Sequence, residues 1–195
     1  MSFSFLPRHF RADTGPIRRK FLTHVPLTGV ERTFAADDVI VSKTDRQGII
    51  TYANDVFLGV AGLTEAEAIG APHSIIRHPA MPRAVFKLLW DRVSSGEEIF
   101  AYVINMASNG DHYWVFAHVT PTFGQDGSIA GYHSNRRVPS REAIKVVEPI
   151  YAQLKSIEDR GSDRARGLAE SSEALTSFLH QRNVSYDELI FSLSR

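Results

Sequence analysis

Two sets of hairpin signals bracket the middle of this chain, and they dictate a single antiparallel sheet. In the first, Val39-Ile40-Val41-Ser42-Lys43-Thr44 and Ile49-Ile50-Thr51-Tyr52-Ala53 flank a polar turn ending at Gly48. β-Branched and aromatic runs on either side of such a turn read as paired strands. In the second, a strand over residues 100–107 turns at Asn109-Gly110 into a long strand over 112–122. Gln125-Asp126-Gly127 then returns the chain over residues 129–138. Between the hairpins lie helices. Asn54 or Asp55 can cap a short one that Gly62 stops, and Thr64-Glu65-Ala66-Glu67 is a capping box for another, ended by Gly70. A longer helix starts at Met81-Pro82 and closes at Gly96. Strands at both ends must meet in one sheet, with the helices on one face. The expectation is an α+β fold with five antiparallel strands and a hollow between sheet and helices.

The faces of these elements carry the next constraint. Val85, Phe86, Leu89, Trp90 and Val93 follow three- and four-residue spacing and share a helix face. On the long strand, Trp114, Phe116 and His118 point one way and Tyr113, Val115, Ala117 and Val119 the other. Both faces are apolar, so neither belongs in water. The face with smaller residues is expected to line the hollow. The other needs a cover, from flanking helices or from another subunit.

At 195 residues, the chain has room for one domain and a substantial extension. We divide it into an arm over 1–36, a core domain over 37–138 and a helical extension over 139–195. The arm is irregular, and Arg8, Arg11, Arg18, Arg19, Lys20 and Arg32 outweigh Asp13 and Glu31 in it. It reads as a solvated lead-in before it reads as a basic docking arm. In the extension, Ile144, Val147, Tyr151, Leu154 and Ile157 form an apolar stripe, and Pro149 is expected to kink or restart that helix. Leu168, Leu175, Phe178 and Leu179 line a second helix, and Ser185 with Glu188 caps a third.

Composition removes several classes of function. With 22 basic and 22 acidic side chains the formal charge is zero, which argues against nucleic acid as a partner. The absence of cysteine excludes disulfides, thiolate metal sites and cysteinyl–flavin photochemistry, and fits a reducing cytoplasm. No apolar run approaches the roughly 20 residues that a membrane span needs. No phosphate-binding glycine loop or nucleophile elbow occurs, so an enzyme is not expected.

One stretch is far from generic. It comprises Tyr52-Ala53-Asn54-Asp55, Arg77-His78-Pro79 with Met81-Pro82, Phe86, Leu89-Trp90, Gly96, Asn105, residues 109–115 and Gly131-Tyr132. In strand order and in these residues, 37–138 resembles the PAS domains of the bacterial aerotaxis receptor family. The resemblance implies a PAS fold and a non-catalytic sensor that binds FAD and reports redox state or oxygen by changing conformation. It also implies Asn54, Arg77, His78, Phe86, Trp90 and Asn105 as cofactor-binding residues. Two positions depart from the family pattern. Ala80 stands where an acid follows His-Pro, and Ile99 where a tryptophan would add an aromatic surface to the expected pocket wall.

The residue types suit a flavin, which needs an apolar slot with a few converging polar groups. Phe86 and Trp90 offer ring faces, Asn105 donor and acceptor edges, and Arg77 a phosphate partner. Each has a plainer alternative. Asn54 can be a helix cap, Arg77 the partner of a surface acid, Phe86 and Trp90 simple core. Asn105 can satisfy strand backbone, and His78 can be held by a backbone group. His133 and Asn135 are polar for a strand and could also face the pocket. At the level of function, two readings compete with the flavin sensor. One is a haem gas sensor with His78 or His133 as axial ligand; the other is a cofactor-free module that dimerises through its sheet face or flanking helices. Output would pass to a second copy or to a chemotaxis or other signalling protein.

Overall fold

In the computed structural model, which describes residues 25–194, each turn anticipated from glycine and asparagine closes a hairpin. Asp45 Oδ1 accepts hydrogen bonds from the Gln47 and Ile49 amides, and Gly48 supplies a positive φ of 77°, so β1 (Ile40–Asp45) folds back into β2 (Ile50–Ala53). Asn54 caps α1 (Asp55–Ala61), and Thr64 with Glu67 forms the reciprocal box that opens α2 (Glu65–Ala68). A single 3-10 turn (His73–Ile76) leads to α3 (Arg83–Ser94), which starts just after Pro82. Strands β3 (Ile99–Met106), β4 (His112–Phe123) and β5 (Ile129–Arg137) follow. The sheet order is β2-β1-β5-β4-β3, antiparallel throughout, so the first and last hairpins meet at β1 and β5.

Register decides what each face presents. Ser42 stands opposite Ser134, Ser134 opposite Val119, and Ala117 opposite Arg136. The inner face, toward α1 and α3, therefore carries Ser42, Val103, Asn105, Ala117, Val119, Tyr132, Ser134 and Arg136. His133 and Asn135 pair with Thr120 and His118 on the outer face, so neither meets the hollow. That corrects their placement as pocket candidates.

The outer face at β3 and β4 is covered by the chain's own extension. Helix α4 (Arg141–Glu158) buries Ile144, Val147, Tyr151 and Leu154, and Tyr151 reaches the sheet. Tyr151 Oη donates to the Tyr102 carbonyl at 2.7 Å, and its ring lies 6.1 Å from Trp114. Pro149 does not restart this helix, which runs unbroken for 18 residues. Pro149 and Lys145 sit on the exposed side, where solvent can satisfy the carbonyl that the missing N–H leaves free. Helix α5 (Arg164–Gln181) packs on α4 through small residues: a Cβ on Gly167 would stand 2.8 Å from the Glu158 carbonyl. Helix α6 (Tyr186–Ser192) sets Phe191 against Phe100 at the β3 edge and Asp187 on Arg92 of α3 at 2.8 Å.

The lead-in is not simply solvated. Arg32 N donates to the His112 carbonyl at 2.7 Å and His112 N to Val30 O at 2.9 Å, laying this segment beside the start of β4. Arg32 itself pairs with Asp111 at 3.0 Å rather than standing free. The other basic residues of the arm lie outside the described residues.

Replacing Tyr151 by Phe leaves the Tyr102 carbonyl without this buried donor. Urea denaturation of Tyr151→Phe is expected to show a loss of about 1 kcal/mol, the usual net worth of one such bond.

Candidate functional site

Between the inner face of the sheet and α3 lies a cavity of about 560 Å³. Phe86, Leu89, Trp90 and Val93 of α3 form one wall, and Val103, Ala117 and Val119 of β3 and β4 face them. The 3-10 turn adds His73, while Leu168 of α5 brings the extension into the wall. The lining surface is mainly apolar, although polar and charged side chains contribute to it throughout.

The most unusual of these is Arg136, only 4% exposed. Its Nη2 donates to Ser42 Oγ at 3.0 Å and to His73 Nε2 at 2.6 Å, while Nη1 has no partner among the described residues. No acid balances it in this contact set. Burial pulls its pKa down to about 10, which still leaves it charged at neutral pH. His73 is pushed down to about 3, first by burial and then by the Arg136 charge, so it stays neutral. Because Nε2 accepts the guanidinium N–H, the ring proton belongs on Nδ1. Two more buried polar atoms in the wall lack partners among the described residues: Asn105 Nδ2 and Ser134 Oγ. A buried group left unsatisfied costs roughly 1–3 kcal/mol. Three such atoms border this one cavity.

Arg77 bridges the turn and the sheet. It forms an isolated antiparallel bridge with Asn105, and its guanidinium lies 4.3 Å from the centroid of the Phe86 ring. Trp90 is 40% exposed, meets Tyr132 edge-on at 5.2 Å, and closes against Gly48. It is the solvent-side rim of the cavity rather than plain core.

Comparison with known proteins agrees with this geometry. The family described as PAS fold matches residues 50–135, from β2 through most of β5. Residues 50–135 are a PAS domain. Over 134 residues the chain is 41% identical to the aerotaxis receptor of Escherichia coli K12, a match spanning 69% of this chain and 26% of that receptor. It is 24% identical over 129 residues to the bacterioopsin transcriptional activator of Halobacterium salinarum, covering 66% of this chain and 19% of the relative. The chain thus spans about a quarter or less of these relatives' length. A solved light-oxygen-voltage domain, studied with a flavin analogue, superposes at a TM-score of 0.50 with 17% identity, over 56% of this chain and 82% of that one.

Of the six site residues expected from sequence, the PAS fold brings Arg77, Phe86, Trp90 and Asn105 to the cavity. The other two stand outside its wall. Asn54 spends its amide on backbone: Oδ1 accepts from Val41 N and Phe57 N, and Nδ2 donates to Val39 O. It fastens α1 to β1. His78 accepts from the Ala80 amide through Nδ1 and lies 5.8 Å from the His112 ring, so it shapes the turn that carries Arg77. Ile99 is buried beside Val119 of the cavity wall and does not itself line the cavity. Neither histidine considered as a haem ligand reaches the cavity. His73 does, but its Nε2 already accepts from Arg136.

Four contributors escaped the sequence reading: Ser42, His73, Ser134 and Arg136. The available signal was parity, since Tyr132, Ser134 and Arg136 alternate with His133 and Asn135 along β5.

A part-buried histidine held neutral inside the domain predicts acid sensitivity. Its folded pKa lies below the unfolded value, so the unfolded chain binds the extra proton between pH 6.5 and about 3. Stability from this group is intact above pH 6.5 and falls on acidification, by up to about 1.4 kcal/mol per pH unit. Denaturation midpoints at pH 7, 6 and 5 are expected to fall more steeply in the wild type than in His73→Gln.

Proposed function

We propose that the chain is a cytoplasmic flavin sensor, holding FAD in the α3–sheet cavity and relaying redox state or oxygen to a signalling partner. The observation that carries this reading is the set of three buried polar atoms, on Asn105, Ser134 and Arg136, that lack a partner among the described residues and surround a slot walled by Phe86 and Trp90. That donor set suits the carbonyl and nitrogen edge of a planar heterocycle, and the apolar walls suit its faces. The kinship with an aerotaxis receptor, and the fold shared with a light-oxygen-voltage domain, agree with it.

When bound, a flavin supplies reversible electron uptake. The chain's own residues do the rest. Phe86 and Trp90 fix the ring plane and keep water from its faces. Asn105 and Ser134 hold its polar edge. Arg136, already desolvated and lacking a carboxylate, favours the ligand form that carries negative charge there. Asn54 and His78 act as positioning residues for α1 and for Arg77.

The route outward is α3. Its cavity-facing side carries Phe86, Leu89 and Trp90, while Arg83 and Arg92 on the same helix bind Glu158 and Asp187 of the extension. A small shift of α3 on redox change is therefore felt at once by α4, α5 and α6. The resulting surface change reaches a second copy of the chain or a separate signalling protein.

Mixing the purified chain with excess FAD and removing free ligand should leave flavin absorption bands with the protein; no bands would discard the proposal. Asn105→Ala is expected to weaken FAD about tenfold, equivalent to about 1.4 kcal/mol. Arg136→Met is expected to weaken it more, and to lower the reduction potential of the bound flavin in spectroelectrochemical titration.

A further inference from the structure

A second cleft, of about 400 Å³, adjoins the cavity and shares Arg77 and Arg83 with it. Pro79 and Met81 also line it, and the extension supplies Lys155, Glu158 and Asp159 at the end of α4 and Arg164 at the start of α5. The charges here do not cancel. Glu158, buried at 3% exposure, is fully engaged, with Oε2 on Arg83 Nε at 3.1 Å and Oε1 on the Ala84 amide at 2.9 Å. Asp159 is taken by Lys155. Arg77 and Arg164 are left, and among the described residues neither stands in an ion pair. Burial holds the pKa of Arg77 below the usual arginine range; the Glu158 charge opposes that shift, and the Arg83 and Arg164 charges add to it. Two unpaired guanidinium groups facing one polar cleft, beside a slot for a planar ring, form a receptor for a phosphate-bearing tail.

We propose that this cleft binds the pyrophosphate half of a dinucleotide whose ring occupies the cavity, with Arg164 of the extension as a specificity-determining residue alongside Arg77. The site is thus built by two parts of the chain, and the extension selects ligands that carry phosphate. Arg83 takes no direct part. It is saturated by Glu158 and by the Arg164 and Glu158 carbonyls, at 2.8 and 3.3 Å, and so sets the distance between the walls. The identity of the ring rests on the flavin reading above; the anion chemistry of the cleft does not.

The test is titration calorimetry on the full chain with FAD, riboflavin and ADP, for the wild type, Arg164→Ala and Arg164→Lys. Far-ultraviolet circular dichroism checks that each variant is folded. Arg164→Ala is expected to weaken FAD and ADP about tenfold, the worth of one charge-assisted contact, and to leave riboflavin within about twofold. Arg164→Lys is expected to restore part of the loss, and added salt to erode the FAD advantage over riboflavin. Equal weakening of riboflavin would reduce Arg164 to a structural role and overturn the proposal. Unchanged binding of FAD and ADP in Arg164→Ala would overturn it too. If neither FAD nor riboflavin binds the wild type, the flavin reading falls by itself. The cleft then stands if ADP binds and loses affinity in Arg164→Ala, and falls if ADP does not bind.

Discussion

A guanidinium sealed inside a sheet is expensive to keep, and Arg136 is the point around which this molecule is arranged. Removing a charge from water costs several kcal/mol unless opposite charge or hydrogen bonds replace the solvent. Here Ser42 and a neutral His73 replace only part of it. The imidazole can serve as an acceptor only while unprotonated, and burial together with the guanidinium keeps it so. The two groups therefore define each other's state, and Nη1 remains available to whatever enters the cavity. The small side chains of Ala117 and Ser134 leave the room that this arrangement requires.

Helix α3 joins this interior to the outside. It is a cavity wall through Phe86, Leu89, Trp90 and Val93, and an anchoring post through Arg83 and Arg92. The Glu158 carboxylate also binds the Ala84 amide, in the first turn of α3. An acid at that end of a helix is favoured by the helix dipole and by the unsatisfied N–H groups there. Burial makes the contact stiffer than a surface ion pair would be. The extension is thus fastened to the element most exposed to events in the cavity.

Much of the architecture was legible from local chemistry. The hairpins were marked by Gly48, Gly110 and Gly127, all with positive φ, and the helix starts by Asn54, Thr64 and Ser185. Such signals are read within a few residues. The pocket was harder, because the facing of β5 depends on its register with β1 and β4, and a slip of one residue exchanges the two faces. His133 and Asn135 looked eligible for that reason, while Ser134 and Arg136 were passed over. An arginine in a strand ordinarily signals a solvated face, which hid the most informative side chain. Phe86 was evident from helical spacing, but Trp90, in the same stripe, turned out to be the rim. The continuity of α4 through Pro149 was illegible too, since it depends on which side of the helix meets solvent.

Leu168 has a wider consequence. It lies more than 30 residues beyond the matched PAS segment, which ends at residue 135, yet it forms part of the cavity wall. Homology limits and the physical edge of the pocket are therefore different lines. A chimera that grafts only the conserved module onto another output would carry a breached container, with its side panel left behind on the donor. For this architecture, the transplantable unit is the core together with its wrapping helices.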